Sequence, residues 1–183
     1  MRTDPLRVAA FLTYLISWLI LAIAAIVHAL PARRAATTPN ISPLSLTGTV
    51  IQLCALLPIV LTLTDRPLRP HTLESIATLL SAPLAVIFFL WAQRSAPKHT
   101  DALVATGAYR WLRHPIYFAF LSMLIATGCI VSARLWLCAA IPIYIAGTEI
   151  RIRNEEAELS RRFPADYAAY LHRTRWRYLP GLR

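Results

Sequence analysis

From Val8 to Leu30 the chain runs for about 23 residues without an aspartate, glutamate, lysine or arginine. As a helix rising 1.5 Å per residue, such a stretch covers roughly 34 Å, enough to cross the ~30 Å hydrocarbon core of a bilayer. It is also longer than the ~7–15-residue apolar stretch of a cleaved signal peptide. The pattern then repeats. Apolar runs follow at about 46–64, 72–91, 116–131 and 135–150, separated by prolines, arginines or short polar stretches. Apolar residues make up 57% of the chain and charged residues 15%, against about 25% charged in a soluble domain.

These runs predict an all-α, polytopic membrane protein with about five transmembrane helices. The first is expected to close at Pro31, and Pro58 and Pro83 to interrupt the second and third. Only Ser132, Ala133 and Arg134 separate the last two runs, so these are expected to form a tight helical hairpin, each about 16 residues long. A polar, arginine-rich segment from Arg151 onward is expected to form a helical tail broken at Phe163-Pro164. The chain divides into three N-terminal spans, residues 1–92, and a second half, residues 93–183, holding a loop, the hairpin and the tail. Together they form one integrated membrane domain.

The formal charge of +10 is a nucleic-acid signal in a soluble protein. Here the basic residues sit in the gaps between apolar runs, which argues against nucleic acid and for contact with membrane lipids. With five spans, a cytosolic C-terminus places Arg33, Arg34, Arg94, Lys98, Arg110, Arg113 and eight tail arginines inside, 14 of the 19 basic residues. The positive-inside rule therefore predicts an outer N-terminus and a cytosolic tail. The near-exclusive use of arginine suggests a GC-rich genome and a bacterial inner membrane. Cys54, Cys129 and Cys138 lie in apolar runs without metal-ligand spacing, so neither a disulfide framework nor a metal site is expected. The five glycines cannot form a GxGxxG motif, which excludes a soluble dinucleotide fold on that signature.

Reactive side chains concentrate in two places: residues 101–117, with Tyr109, Arg113, His114, Pro115 and Tyr117, and residues 151–156, with Arg151, Glu155 and Glu156. Taken singly, each has a plain explanation, such as an interface anchor, a helix cap or an i,i+4 surface ion pair. A hairpin between them brings both to one cytosolic corner, and the plain explanations do not account for that convergence. Pro115 suits a first helical turn. Arg113 and His114 then stand at a helix N-terminus, where amides and dipole favour an anion. The rings of Tyr109, Trp111 and Tyr117 suit an adenine or a sulfonium, and Glu155 or Glu156 suits ribose hydroxyls or an amino group.

The Gly-x-Tyr-x-x-x-Arg-His-Pro-x-Tyr pattern at Gly107–Tyr117 resembles the isoprenylcysteine carboxyl methyltransferase family and its phospholipid N-methyltransferase relatives. So does the series Arg151, Glu155-Glu156, Phe163, Tyr167 and Tyr170, and the resemblance runs over roughly residues 93–180. It implies an S-adenosylmethionine-dependent methyltransferase acting on a lipophilic or lipid-linked substrate. Carried over residue by residue, it implies cofactor contacts at Asp101, Ala102, Leu103, Val104, Tyr109, Arg113, His114, Pro115, Ile116, Tyr117 and Glu155, with Gln93 or Arg94 as a further contact. Arg151 would face the reacting group of the substrate, and Glu156 would accept a proton from an amine nucleophile. Ala119 and Pro164 stand where relatives often carry glycine. Two other readings are an NADPH-dependent membrane reductase of the sterol-reductase kind, which needs more basic groups around a 2′-phosphate, and a non-catalytic scaffold whose tail grips anionic lipid. The oligomeric state is not encoded in any of these features.

Overall fold

The computed structural model describes residues 4–35, 43–57, 70–95 and 102–181. Its helices are α1 (Pro5–Ala35), α2 (Pro43–Cys54), α3 (Thr72–Ser95), α4 (Pro115–Ile130), α5 (Arg134–Arg162) and α6 (Pro164–Arg173), with a 3₁₀ turn at Gly107–Arg110. No strand forms among the described residues, although an isolated parallel bridge pairs Leu112 with Trp176. The fold is all-α, as the apolar runs require.

Among the described residues, three helices are long and apolar enough to cross a membrane, at Pro5–Val27, Thr72–Ser95 and Leu135–Arg162. The helices α2 and α4, expected as the second and fourth spans, are apolar but shorter. At 16 residues, α4 covers roughly 24 Å, less than the full hydrocarbon thickness. The expected second span lies partly outside the described residues, together with Pro58.

The boundaries depart from expectation in two informative places. Helix α1 continues through Pro31 to Ala35, because a membrane helix tolerates a proline that removes one N–H. Helix α5 does not stop near Ile150 but runs unbroken to Arg162. The switch from apolar to polar residues there marks a change of surroundings, not of backbone, and the helical hydrogen bonds do not register it. The break at Phe163-Pro164 falls where expected, with Pro164 opening α6.

Packing follows membrane rules rather than those of a soluble core. Ala10, Ala82, Ala85, Ala92, Ala119 and Ala126 are fully buried, whereas Leu19, Leu80 and Leu135 are 60%, 69% and 80% exposed. Small residues let helices approach closely while large apolar side chains face outward to lipid. Helix α3 packs against α1 and α4, and α2 packs against α5. Hydroxyls join the helices where carbon cannot: Tyr14 donates to Thr127 Oγ1 at 3.3 Å, and Thr78 to the Ala126 carbonyl at 3.4 Å.

Between α4 and α5 stand Val131, Ser132 and Ala133. Ser132 takes a left-handed conformation (φ 57°), and Ala133 N donates to the Gly128 carbonyl at 2.7 Å. A side chain at Gly128 would overlap Leu137, and Tyr144 donates to the Tyr117 carbonyl at 2.9 Å. These contacts run in antiparallel order and carry the start of α4 to the far part of α5, where the two reactive clusters lie.

Candidate active site

The corner is built from three segments. The first is the loop ahead of α4, shaped by Gly107 (φ +60°), whose missing side chain leaves room for Ser95 on α3; a Cβ there would sit 2.0 Å from Ser95 Oγ. Ser95 Oγ accepts from Ala108 N at 3.2 Å, which pins the 3₁₀ turn to the end of α3. The second segment is the polar stretch of α5, which presents Arg151, Glu155 and Leu159 at helical spacing along one face. The third is the chain after α6. It returns to the start of α4 and takes hydrogen bonds from Arg113 N to the Trp176 carbonyl (2.9 Å) and from His114 N to the Arg177 carbonyl (2.7 Å).

A ladder of alternating charge crosses these segments. Glu149 Oε2 lies 2.8 Å from Arg177 Nη1, whose Nη2 is 3.2 Å from Glu156 Oε2. Glu156 Oε1 meets Arg113 Nη1 at 2.8 Å and His114 Nε2 at 3.3 Å. The other ring nitrogen, Nδ1, lies 3.5 Å from Glu155 Oε2. Glu155 also accepts from the Tyr117 hydroxyl and lies 3.8 Å from Arg151 Nη2. With His114 protonated, four cationic groups face three carboxylates, so the corner keeps one unit of positive charge.

Burial alone would lower the His114 pKa, but hydrogen bonds to Glu155 and Glu156, reinforced by their charges, raise it above the ordinary histidine value. The ring is clamped between two carboxylates, which favour its protonated form. Tyr109 is pushed up by burial and then by the Glu155 charge, which keeps its phenol neutral.

A cavity of ≈ 290 Å³ opens against this ladder. Of the residues expected to hold a cofactor, Leu103, Val104, Tyr109, Arg113, His114, Pro115, Ile116, Tyr117 and Glu155 all line it, and Arg151 does too. Ala102 lines an adjoining cleft of ≈ 710 Å³ that shares Leu103 and Tyr170 with the cavity. Arg94 is exposed in the last turn of α3 and does not reach the cavity. Asp101 lies outside the described residues. Trp111, offered as a ring for adenine, is 67% exposed and stands outside as well.

Glu156 departs from its expected role as a proton acceptor. It is not in the cavity lining, and Arg113, His114 and Arg177 engage both of its oxygens. A carboxylate so enclosed by cations is a poor base, and its evident work is to hold the corner together. At the helix N-terminus expected to favour an anion, the amides of Arg113 and His114 are taken by the returning tail.

The cavity also uses Phe120, Leu159 and Tyr170. The first two stand three and four residues beyond Tyr117 and Glu155, so helical periodicity would have found them. Arg177 and Trp176 carried no such signal.

The lining suits S-adenosylmethionine. Rings and aliphatic side chains provide a wall for a purine and faces for a sulfonium, and Glu155 offers a carboxylate for hydroxyl or ammonium groups. Arg113 Nε is buried without a hydrogen-bond partner, leaving a charged donor for a carboxylate.

Residues 75–161 match the sequence profile of the isoprenylcysteine carboxyl methyltransferase family. The match starts earlier than the motifs suggested, taking in most of α3, and stops short of Phe163. No curated protein matches this chain. The matched residues 75–161 carry both Arg113-His114-Pro115 and the Arg151/Glu155 pair that line one cavity, and this stretch is identified with the isoprenylcysteine carboxyl methyltransferase family, which points to a membrane methyltransferase.

Proposed function

We propose that the protein transfers a methyl group from S-adenosylmethionine to a lipophilic acceptor bearing a polar, most simply carboxylate, head, at the cytosolic face of the membrane. The observation that carries this reading is the meeting of two cavities at Arg151 and Phe120. The cofactor-sized cavity is polar on its α5 side. The second, ≈ 230 Å³, is walled mainly by apolar residues of α1, α2 and α4, among them Trp18, Leu53, Met123 and Leu124. An acceptor with its tail in the second cavity would bring its head to Arg151.

When bound, the cofactor supplies an electrophilic methyl on a positively charged sulfur. The chain supplies alignment. Arg113 and Glu155 would fix the amino-acid and ribose parts, with Tyr109 and Tyr117 bounding the reacting end. Arg151, its guanidinium 5.1 Å from the Tyr117 ring centroid, would orient the nucleophile. A carboxylate arrives ionised and needs no base, so positioning accounts for most of the acceleration. The absence of a free base at Glu156 favours a carboxylate over an amine.

Five membrane crossings, an outer N-terminus, a cytosolic tail and the division at residues 92–93 belong to this proposal, supported by the charge distribution. Calorimetric titration of detergent-purified protein tests it. S-adenosylmethionine should bind, Arg113→Ala, His114→Ala and Glu155→Ala should each weaken binding, and NADPH should not bind. Unchanged affinity in all three variants would discard the site, and NADPH binding would favour a reductase.

A further inference from the structure

The polar group nearest Arg151 outside its own helix lies on α2, beyond the region that matches the family. Gln52 Oε1 accepts from Arg151 Nη1 at 3.0 Å, and Gln52 Nε2 donates to Thr148 Oγ1 at 2.7 Å. Both ends of the amide are thus committed, one to the guanidinium and one to the helix that carries it. Gln52 also lines the apolar cavity next to Arg151. A glutamine on an apolar helix is costly unless its hydrogen bonds are made.

The backbone is shaped to deliver it. Gly48 and Gln52 are four residues apart on α2, as Gly147 and Arg151 are on α5. A Cβ at Gly147 would lie 2.6 Å from the Gly48 carbonyl and 2.8 Å from Gln52 N, and one at Gly48 would lie 2.5 Å from Arg151 Cγ. The two glycines bring the helix backbones together, and one turn further along Gln52 meets Arg151.

We infer that Gln52 is the positioning residue that holds the Arg151 guanidinium at the junction of the two cavities, directed at the acceptor head. This rests on the reading of Arg151 as the group facing the acceptor. Glu155 competes for the same cation from 3.8 Å. Without Gln52 the guanidinium turns toward Glu155 and away from the apolar cavity. Arg151 Nε is buried and lacks a partner, so the anchored group retains a donor for the acceptor's oxygen.

The test uses full-length protein in detergent, with an N-acylated S-prenylcysteine carrying a free carboxylate as acceptor probe. Gln52→Leu keeps the volume and removes both hydrogen bonds. Gln52→Glu keeps an oxygen for Arg151 but adds a negative charge facing the acceptor. For Gln52→Leu we expect S-adenosylmethionine affinity within about 2-fold of the parent and kcat reduced roughly 10-fold or more, the scale of a lost charged hydrogen bond. For Gln52→Glu we expect kcat largely retained and KM for the probe raised roughly 10-fold by like-charge repulsion. A purely structural role would lower cofactor affinity and thermal stability together in both variants and leave no such kcat–KM split. Acceptor kinetics of Gln52→Leu within about 2-fold of the parent would overturn the inference. Should Gln52→Leu fail to fold, an unchanged KM in Gln52→Glu does the same. A parent protein that binds S-adenosylmethionine yet methylates neither the probe nor an extract of its own membranes removes the role given to Arg151, and this inference with it. A parent that does not bind S-adenosylmethionine refutes the proposed function itself.

Discussion

His114 sits where three demands coincide: it precedes the first turn of α4, it lines the cavity, and its ring joins Glu155 to Glu156. Because its folded pKa stands above the unfolded value of about 6.5, its stabilising contribution is complete below that value. It is lost as pH rises through the raised, folded pKa. Thermal melts of the purified protein should therefore show stability falling as pH climbs above neutrality, and His114→Gln should remove that component of the slope. The two glutamates should separate by phenotype. Glu156→Ala leaves Arg113, His114 and Arg177 without a shared counter-ion, and loss of a buried partner costs roughly 3–5 kcal/mol, so misfolding or a much lower melting temperature is expected. Glu155→Ala, at the cavity wall, should fold and lose cofactor affinity in calorimetry. Most of the wall was legible from sequence because two local motifs carry it. The distinct duties of adjacent glutamates were not, since a 100° step around α5 turns one to the cavity and the other to the tail, and only the coordinates reveal that phase. Gln52 was invisible for another reason: it lies in an apolar run, about 100 residues from its partners, with nothing nearby in sequence to mark it.

At the scale of elements, sequence patterning located each helix because apolar runs and prolines report directly on membrane burial and helix starts. It divided the last span from the helical tail at Arg151, where α5 runs on unbroken to the expected break at Phe163, since polarity changes at Arg151 but backbone geometry does not. Under the proposed function that continuity matters: Gly147, Arg151 and Glu155 share one helix, so the contact with α2, the cation proposed to face the acceptor and the carboxylate proposed to face the cofactor move together. Gly147→Ala should push α2 and α5 apart against backbone atoms that cannot yield. Its expected result is lower acceptor turnover with a lower melting temperature. Gly107→Ala acts on the other wall. A left-handed residue costs an alanine about 1–2 kcal/mol, and the added methyl displaces Ser95. Weakened S-adenosylmethionine binding, measured by titration, is the expected outcome, because Tyr109 hangs on the same turn.

For the whole molecule, small residues between helices and large ones facing outward indicate which surface meets lipid, while the proposed orientation rests on the charge distribution. Single cysteines at His71 and Arg173, in a background lacking Cys54, Cys129 and Cys138, provide the check. A membrane-impermeant thiol reagent applied to intact cells should label the first and spare the second until the membrane is opened. What sequence could not convey at this scale is the return of the tail, because it is secured by backbone hydrogen bonds at Arg113 and His114 and by Arg177. No periodicity encodes such contacts.

That returning tail has a kinetic implication. Tyr170 donates to the Tyr109 carbonyl at 2.7 Å, so one wall of the cavity belongs to a segment that can peel away without unfolding any membrane helix. Release of the spent, demethylated cofactor would then be timed by how often residues 164–178 lift. Tethering them covalently to the loop ahead of α4 should leave a single turnover intact while slowing every turnover after it.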